Sequence, residues 1–200
     1  MRIVVIGAAG QARDTAYLID AMRQAGAPTT CIGFVVSDLA TLGPNDSTVL
    51  GDEGIALGIG SPKARLAVAT RLSERFEGAE WPNLVHPRAN MEWKTSRLGK
   101  GICISDSVVG TVNITIGDFA LLNPAVTLGH EADVGPGCVM NHASGISGGT
   151  VLERGVLVGT GARVLQYLHV GEYSRIGAGA VVTKNVPPQS TYVGVPARPL

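Results

Sequence analysis

The chain has 200 residues, 45% of them apolar, with 16 basic and 16 acidic side chains; that is enough to bury a core in one or two domains and excludes a disordered chain. A formal net charge of zero and no block of Lys/Arg exclude the electrostatic footprint of a protein held on nucleic acid or an anionic membrane. Cys31, Cys103 and Cys138 are scattered without C-x-x-C spacing, which excludes a disulfide framework and a thiolate zinc site and fits a reduced cytoplasm.

The apolar start, Met1 to Ile6, is too short for a signal peptide or a membrane span and reads as a first strand. It runs into Gly7-Ala8-Ala9-Gly10-Gln11-Ala12, after which Ala16, Leu18, Ile19 and Met22 follow a helical spacing that stops at Gly26. A second strand is expected over Ile32 to Val36 and a third over Ile55 to Ile59. A helix then starts at Ser61 as N-cap and Pro62 as its first residue and reaches about Phe76. Leu39 to Val49, rich in turn-forming residues, reads as a surface loop.

Strands alternating with helices imply a parallel sheet whose ligands sit at the strand C-termini. The small residues of the first turn admit a phosphate to backbone N–H groups at a helix N-terminus, and Asp38, ending the second strand, is placed to accept hydrogen bonds from a ribose or base. The same glycines also serve a tight strand-to-helix turn that holds no ligand, and G-x-x-G-x-A departs from a regular dinucleotide fingerprint.

From Leu98 onward the sequence repeats every six residues. Stepping by six gives Leu98, Ile104, Gly110, Ile116, Leu122, Leu128, Val134, Met140, Ile146, Leu152, Val158, Val164, Val170, Ile176 and Val182, aliphatic at all but Gly110. Four positions further on, Ile102, Val108, Ile114, Ala120, Val126 and their successors are mostly small or β-branched. A six-residue period matches neither a helix nor an alternating strand, but it is the signature of a β-helix, in which three hexapeptides close one triangular coil. About five coils follow. The aliphatic residue is expected inside, the small one near a corner, and the frequent glycine or asparagine just after the aliphatic is expected to supply special turn dihedrals.

On these repeats, and on the ending Gly177-Ala178-Gly179-Ala180-Val181-Val182-Thr183-Lys184-Asn185-Val186-Pro187-Pro188 followed by Val193-Gly194-Val195-Pro196, the chain resembles the left-handed β-helix hexapeptide acyltransferases. The first glycine turn, Ile59-Gly60-Ser61, Val85-His86-Pro87 and His130-Glu131 narrow the resemblance to the bacterial sialic-acid and bacillosamine-type sugar acetyltransferases. It implies an α/β, Rossmann-like nucleotide-sugar-binding domain over residues 1–85 and a left-handed parallel β-helix over 86–200. It also implies acetyl-CoA as co-substrate, no metal, a nucleotide-linked sugar as acceptor and a homotrimer.

Acetyl transfer from a thioester needs a base for the attacking proton and a donor for the oxyanion. His130 stands second after the aliphatic of its hexapeptide, outside the buried pattern, and Glu131 follows it to hold and charge-balance the imidazole. The resemblance makes this pair the catalytic base and its supporting acid. It carries substrate contacts onto Ala9, Gly10, Gln11, Asp38, Gly60 and Asn123. Gly148 receives the backbone N–H facing the thioester carbonyl, and Thr160 and Ala178 receive further acetyl-CoA contacts. The chain departs from the family in having Ala9-Gly10-Gln11 for Ser-Gly-His, and Val139 where a second histidine stands nine residues after the first.

His142 occupies the corner position equivalent to that of His130, two faces on, while His86 and His169 show no supporting constellation in the sequence. A β-helical zinc carbonic anhydrase would need three converging histidines; the four here lie 44, 12 and 27 residues apart. A dinucleotide-dependent oxidoreductase is left with too little chain for its substrate domain, and the helical first domain of serine acetyltransferase is not what the opening residues spell. A sialic acid-type O-acetyltransferase and a non-catalytic β-helical binding protein remain as alternatives to N-acetyl transfer.

Overall fold

A computed structural model describes residues 1–35 and 53–200; Asp38 and the expected loop at 39–49 lie outside the described residues. The first region contains β1 (Arg2–Ile6), α1 (Gly10–Gln24), β2 (Thr30–Val35), β3 (Gly54–Leu57) and α2 (Pro62–Arg75). The three strands form one parallel sheet in the order β2-β1-β3, as the alternation of strand and helix implies. Ser61 stands at the N-cap of α2 in extended backbone, as expected, but its hydroxyl makes no capping bond. Phe76 is the C-cap.

From Leu84 the chain becomes a parallel β-solenoid, the architecture read from the hexapeptides. One ladder stacks the strand pairs 84–85, 103–104, 121–122, 139–140, 157–158, 175–176 and Thr191–Val193. A second stacks 109–110, 127–128, 145–146, 163–164 and 181–182; a third stacks 97–98, 115–116, 133–134, 151–152 and 169–170. Partners such as Thr127 and Gly145 lie one coil, 18 residues, apart. The antiparallel strand Arg198–Pro199 covers the last edge of the first ladder, which blunts an otherwise open row of backbone donors and acceptors.

The two interior registers behave as the sequence implies: Ile104, Ile116, Leu122, Val134 and Val158 are buried, and so are Ile102, Val108, Val126, Val156 and Ala180. At the one break in the aliphatic register, a Cβ on Gly110 would sit 2.8 Å from Met91 Cγ and 2.7 Å from Ile114 Cδ1. Met91, from outside the repeat, fills that place in the core.

One expectation is overturned. The residue just after the aliphatic carries no special dihedral; the left-handed residue comes two positions later, at every sixth residue from Gly101 to Gly179, with φ between 55° and 69°. Ser107, Phe119, Ala125, Glu131 and Tyr167 take this conformation as well as glycines. The glycines after the aliphatic have a different cause, close approach of consecutive coils. A Cβ on Gly129 would lie 2.4 Å from the Gly148 nitrogen, and one on Gly159 would lie 2.6 Å from the Ala178 nitrogen.

The α/β region packs on the solenoid. Ile3, Val5, Leu18 and Ile19 share a buried cluster with Leu84, Cys103, Leu121 and Val139, and Leu57, Leu66 and Leu72 share another with Trp81 and Phe119. At that junction Arg65 is fully buried. Its Nε donates to the Phe119 carbonyl at 2.6 Å, and one terminal nitrogen donates to the carbonyls of Leu57 at 2.8 Å and Ile59 at 3.0 Å. One guanidinium thus ties β3 and the α2 approach to a solenoid corner. Among the described residues no helix is long and apolar enough to cross a membrane.

Candidate functional site

His130 projects from the corner that follows the second ladder, because its hexapeptide turns directly after the strand Thr127–Leu128. Its ring lies over the next coil: a Cβ on Gly148 would come within 2.3 Å of His130 Nε2. Any side chain at Gly148 would therefore displace the imidazole. Glu131 Oε2 is 3.7 Å from His130 Nδ1, with the two side chains 60% and 53% exposed. That separation is longer than a hydrogen bond, so in this arrangement Glu131 acts on the ring only through its charge.

The corner also offers a donor. Second residues after the aliphatic, Gly148 among them, donate their N–H to no carbonyl of the neighbouring coils among the described residues. Gly148 is instead held by its neighbours, its carbonyl accepting from Tyr167 and the Gly149 N–H donating to the His130 carbonyl at 2.8 Å. A base and an unused amide thus face one another across a single coil step.

Tyr167 completes the corner and was not singled out by the sequence. Its ring meets His130 edge-on with centroids 6.5 Å apart, and it occupies the space a Cβ on Gly149 would need, 2.4 Å from Cδ1. Two other aromatics, Phe119 over Gly101 and Tyr173 over Gly155, repeat this glycine-covering geometry. A signal was available: an aromatic 18 residues after a corner glycine.

Asn123, Thr160 and Ala178 fall at a different corner, the one following the first ladder, and so does His142. Asn123 is buried, its side-chain amide donating to the Asn141 side-chain oxygen at 3.2 Å, whereas Thr160 and Ala178 are exposed. Within one chain the structure therefore groups His130, Glu131 and Gly148, and separately Asn123, Thr160 and Ala178, with the face of the second ladder between them.

Ala9, Gly10, Gln11 and Gly60 come together at the C-terminal rim of the three-stranded sheet; the Gln11 side chain lies 3.8 Å from where a Gly60 Cβ would be. Glycine has a structural cause at Gly7, where a Cβ would meet the Gly58 carbonyl at 2.7 Å. No such cause applies to Gly10, which has nothing within 4 Å of its Cβ position and no positive φ. The α1 N-terminus carries no side-chain cap and no acidic residue in its first turn, so its leading N–H groups and dipole face the rim unopposed.

The remaining nucleophiles and histidines sort by their surroundings. Burial pushes the Cys138 thiol up to about 12, and its Sγ donates to the Glu153 carbonyl, so it is a core residue and not a thiolate nucleophile. His86 and His169 do acquire acidic neighbours, Asp106 at 3.6 Å and Glu153 at 3.6 Å. These partners lie too far along the chain for a local pattern to reveal them. Among the described residues no three His, Cys, Asp or Glu side chains converge as metal ligands.

No family model matches the chain. Over 45 residues it is 51% identical to serine acetyltransferase of Buchnera aphidicola, and over 43 residues 56% identical to that of Mycobacterium tuberculosis. The chain spans about a sixth of the length of the curated relatives it matches, 16% for the Buchnera protein. Solved structures match throughout. PerB from Caulobacter crescentus, in complex with CoA and GDP-perosamine, superposes with a TM-score of 0.86 at 26% identity, covering 100% of this chain and 97% of that one. A variant of perosamine N-acetyltransferase from the same organism, also with CoA and GDP-perosamine, gives 0.69 at 25% over the same shares. The acetyltransferase domain of PglB from Neisseria gonorrhoeae gives 0.66 at 24%, covering 100% and 99%, and shares the fold. Over its whole length, then, this chain is similar to the hexapeptide-repeat, left-handed β-helix sugar acetyltransferases.

Proposed function

We propose that the protein transfers the acetyl group of acetyl-CoA to the amine of a nucleotide-linked amino sugar during bacterial surface glycan biosynthesis. The observation that carries this reading is the His130 ring standing over Gly148, which sets a general base beside a backbone N–H that no neighbouring coil uses. His130 removes the proton as the amine attacks the thioester carbonyl. The Gly148 N–H stabilises the oxyanion, and thiolate leaves as CoA. Glu131 stabilises the imidazolium; its 3.7 Å separation shortens when ligand excludes water, as is common for catalytic pairs seen without substrate.

The first region, residues 1–85, is read as a Rossmann-like nucleotide-sugar domain and 86–200 as the transferase domain. The uncapped N-terminus of α1 at Ala9, Gly10 and Gln11, with Gly60 beside it, takes the phosphates. Asp38 is proposed for the ribose or base. Asn123 faces the acceptor, and Thr160 and Ala178 take acetyl-CoA. Because those three share one corner and His130 another, a working site joins the His130 corner of one copy to the Asn123 corner of the next, which a homotrimer of side-by-side prisms provides. An active monomer in light scattering would refute that assembly. The reaction is placed in the cytoplasm, where free thiols stay reduced.

The likeness to perosamine N-acetyltransferase with GDP-perosamine and CoA supports the nucleotide sugar and the amine. The decisive experiment is product mass spectrometry with acetyl-CoA and UDP-, GDP- and dTDP-linked amino sugars, beside free sialic acid. A new amide on one nucleotide sugar is expected. An O-acetylated sialic acid in its place would overturn the reading.

A further inference from the structure

Resting on that reading, we infer that a small enclosed cavity between α1 and the Asn123 corner holds the sugar ring of the acceptor and restricts it to hexoses without a carboxylate. The cavity has a volume of about 170 Å³ and is lined by Asp14 and Tyr17 of α1 and by His86, Asp106 and His142 of the solenoid. Ligand pockets for drug-sized molecules run from roughly 300 Å³ upward, so this one suits a single ring and not a nucleotide.

Its place in the fold fits a ring attached to the proposed phosphate site. Asp14 lies one helical turn, about 6 Å, along α1 from Gly10, so a diphosphate at the helix N-terminus delivers its sugar to this cavity. On the solenoid side, His86, Asp106 and His142 belong to the corner that carries Asn123 and, further along the coils, Thr160 and Ala178. Acceptor ring, Asn123 and coenzyme contacts thus follow one another along one edge.

The lining chemistry selects the ligand. Tyr17 is 65% exposed and stacks on His86 with centroids 6.4 Å apart and planes inclined by 22°, giving a flat apolar face against which a pyranose packs. His86 is only 6% exposed. Its Nδ1 accepts the Arg88 N–H at 3.1 Å, which puts the ring proton of the neutral imidazole on Nε2. That nitrogen has no protein partner among the described residues, although it is not sealed from the cavity. Buried polar groups of this kind call for a partner, and a sugar hydroxyl supplies one.

Asp14 and Asp106 add two carboxylates, while no Lys or Arg lines the cavity; Arg88 reaches Asp106 at 3.2 Å from its own exposed position. Carboxylates accept hydroxyl and amine donors and repel a sugar carboxylate. A nine-carbon acidic sugar therefore fails on both size and charge.

The test is calorimetry on the full-length protein with GDP, UDP and dTDP, each compared with its amino-hexose conjugate, and with free sialic acid. The wild type should bind one conjugate more tightly than the bare diphosphate and should not bind sialic acid. Asp106→Asn and, separately, Asp14→Asn should each reduce the advantage of the conjugate by about tenfold, the usual size of a hydrogen bond to a charged group, while leaving the diphosphate affinity as it was. If the conjugates bind no tighter than the diphosphates, if both variants keep the full advantage, or if sialic acid binds in the wild type, the inference is wrong. Product mass spectrometry reports separately on acetyl transfer, so the two failures are distinguishable.

Discussion

Both regions of the molecule bring backbones together through glycine, but they differ in how often one contact recurs. In the solenoid the contact of Gly129 with the coil above returns at Gly159, because every coil meets its neighbour 18 residues on. In the α/β region, Gly58, where a Cβ would sit 2.5 Å from Ala12 Cα, makes a contact found once. The solenoid is accordingly stabilised as a sum of similar neighbour interactions. The α/β region depends on unique ties to a scaffold already formed, Arg65 foremost. Activity is expected where the repeating scaffold departs from its own pattern, at the His130 corner and the α1 rim.

The largest expected effect breaks that departure without touching the scaffold. His130→Ala should lower kcat by roughly 10² to 10⁴, the usual worth of a general base, with acetyl-CoA affinity and thermal unfolding little changed. Steady-state kinetics beside a melting curve checks this. Gly148→Ala should cost kcat about 10², because its Cβ occupies the place of His130 Nε2 and a misplacement of about 1 Å is that expensive. Retained turnover in this variant would show that the ring is free to move.

The tie between the regions is next. Arg65→Met removes a buried guanidinium and leaves the Phe119, Leu57 and Ile59 carbonyls short of a donor. It should cost roughly 2–4 kcal/mol, and urea unfolding should split into an early α/β step and a later solenoid step. A single transition at the wild-type midpoint would mean that the regions are joined by apolar packing alone.

Paired glycine variants sharpen the contrast further. Gly159→Ala meets the Ala178 backbone and should destabilise by about 1–3 kcal/mol. Gly10→Ala has open space and should leave stability within ~0.5 kcal/mol while weakening nucleoside-diphosphate binding.

The smallest effect concerns Cys138. Its thiol titrates near 12 when folded against an ordinary 9.0, so the unfolded chain loses this proton first. The group therefore contributes its full stability below pH 9 and loses that contribution as pH rises toward 12. A thiol reagent at pH 8 should reach Cys138 only after unfolding.

By itself the sequence determined the solenoid, its interior residues and the outward placing of His130, because neighbouring coils meet at a fixed chain separation and a period of six can be read directly. It also determined the strand and helix alternation of the first region. Only the tertiary structure decided which corner residue turns left-handed, since Ser107, Phe119 and Tyr167 share that conformation with glycine and no residue type marks it. Met91 filling the gap at Gly110, Arg65 turned inward from a helix that reads as amphipathic, and Tyr17 stacked on His86 each join residues far apart in the chain. Such contacts occur once, so no repetition announces them. They form only when the α/β region is laid against a particular edge of the solenoid.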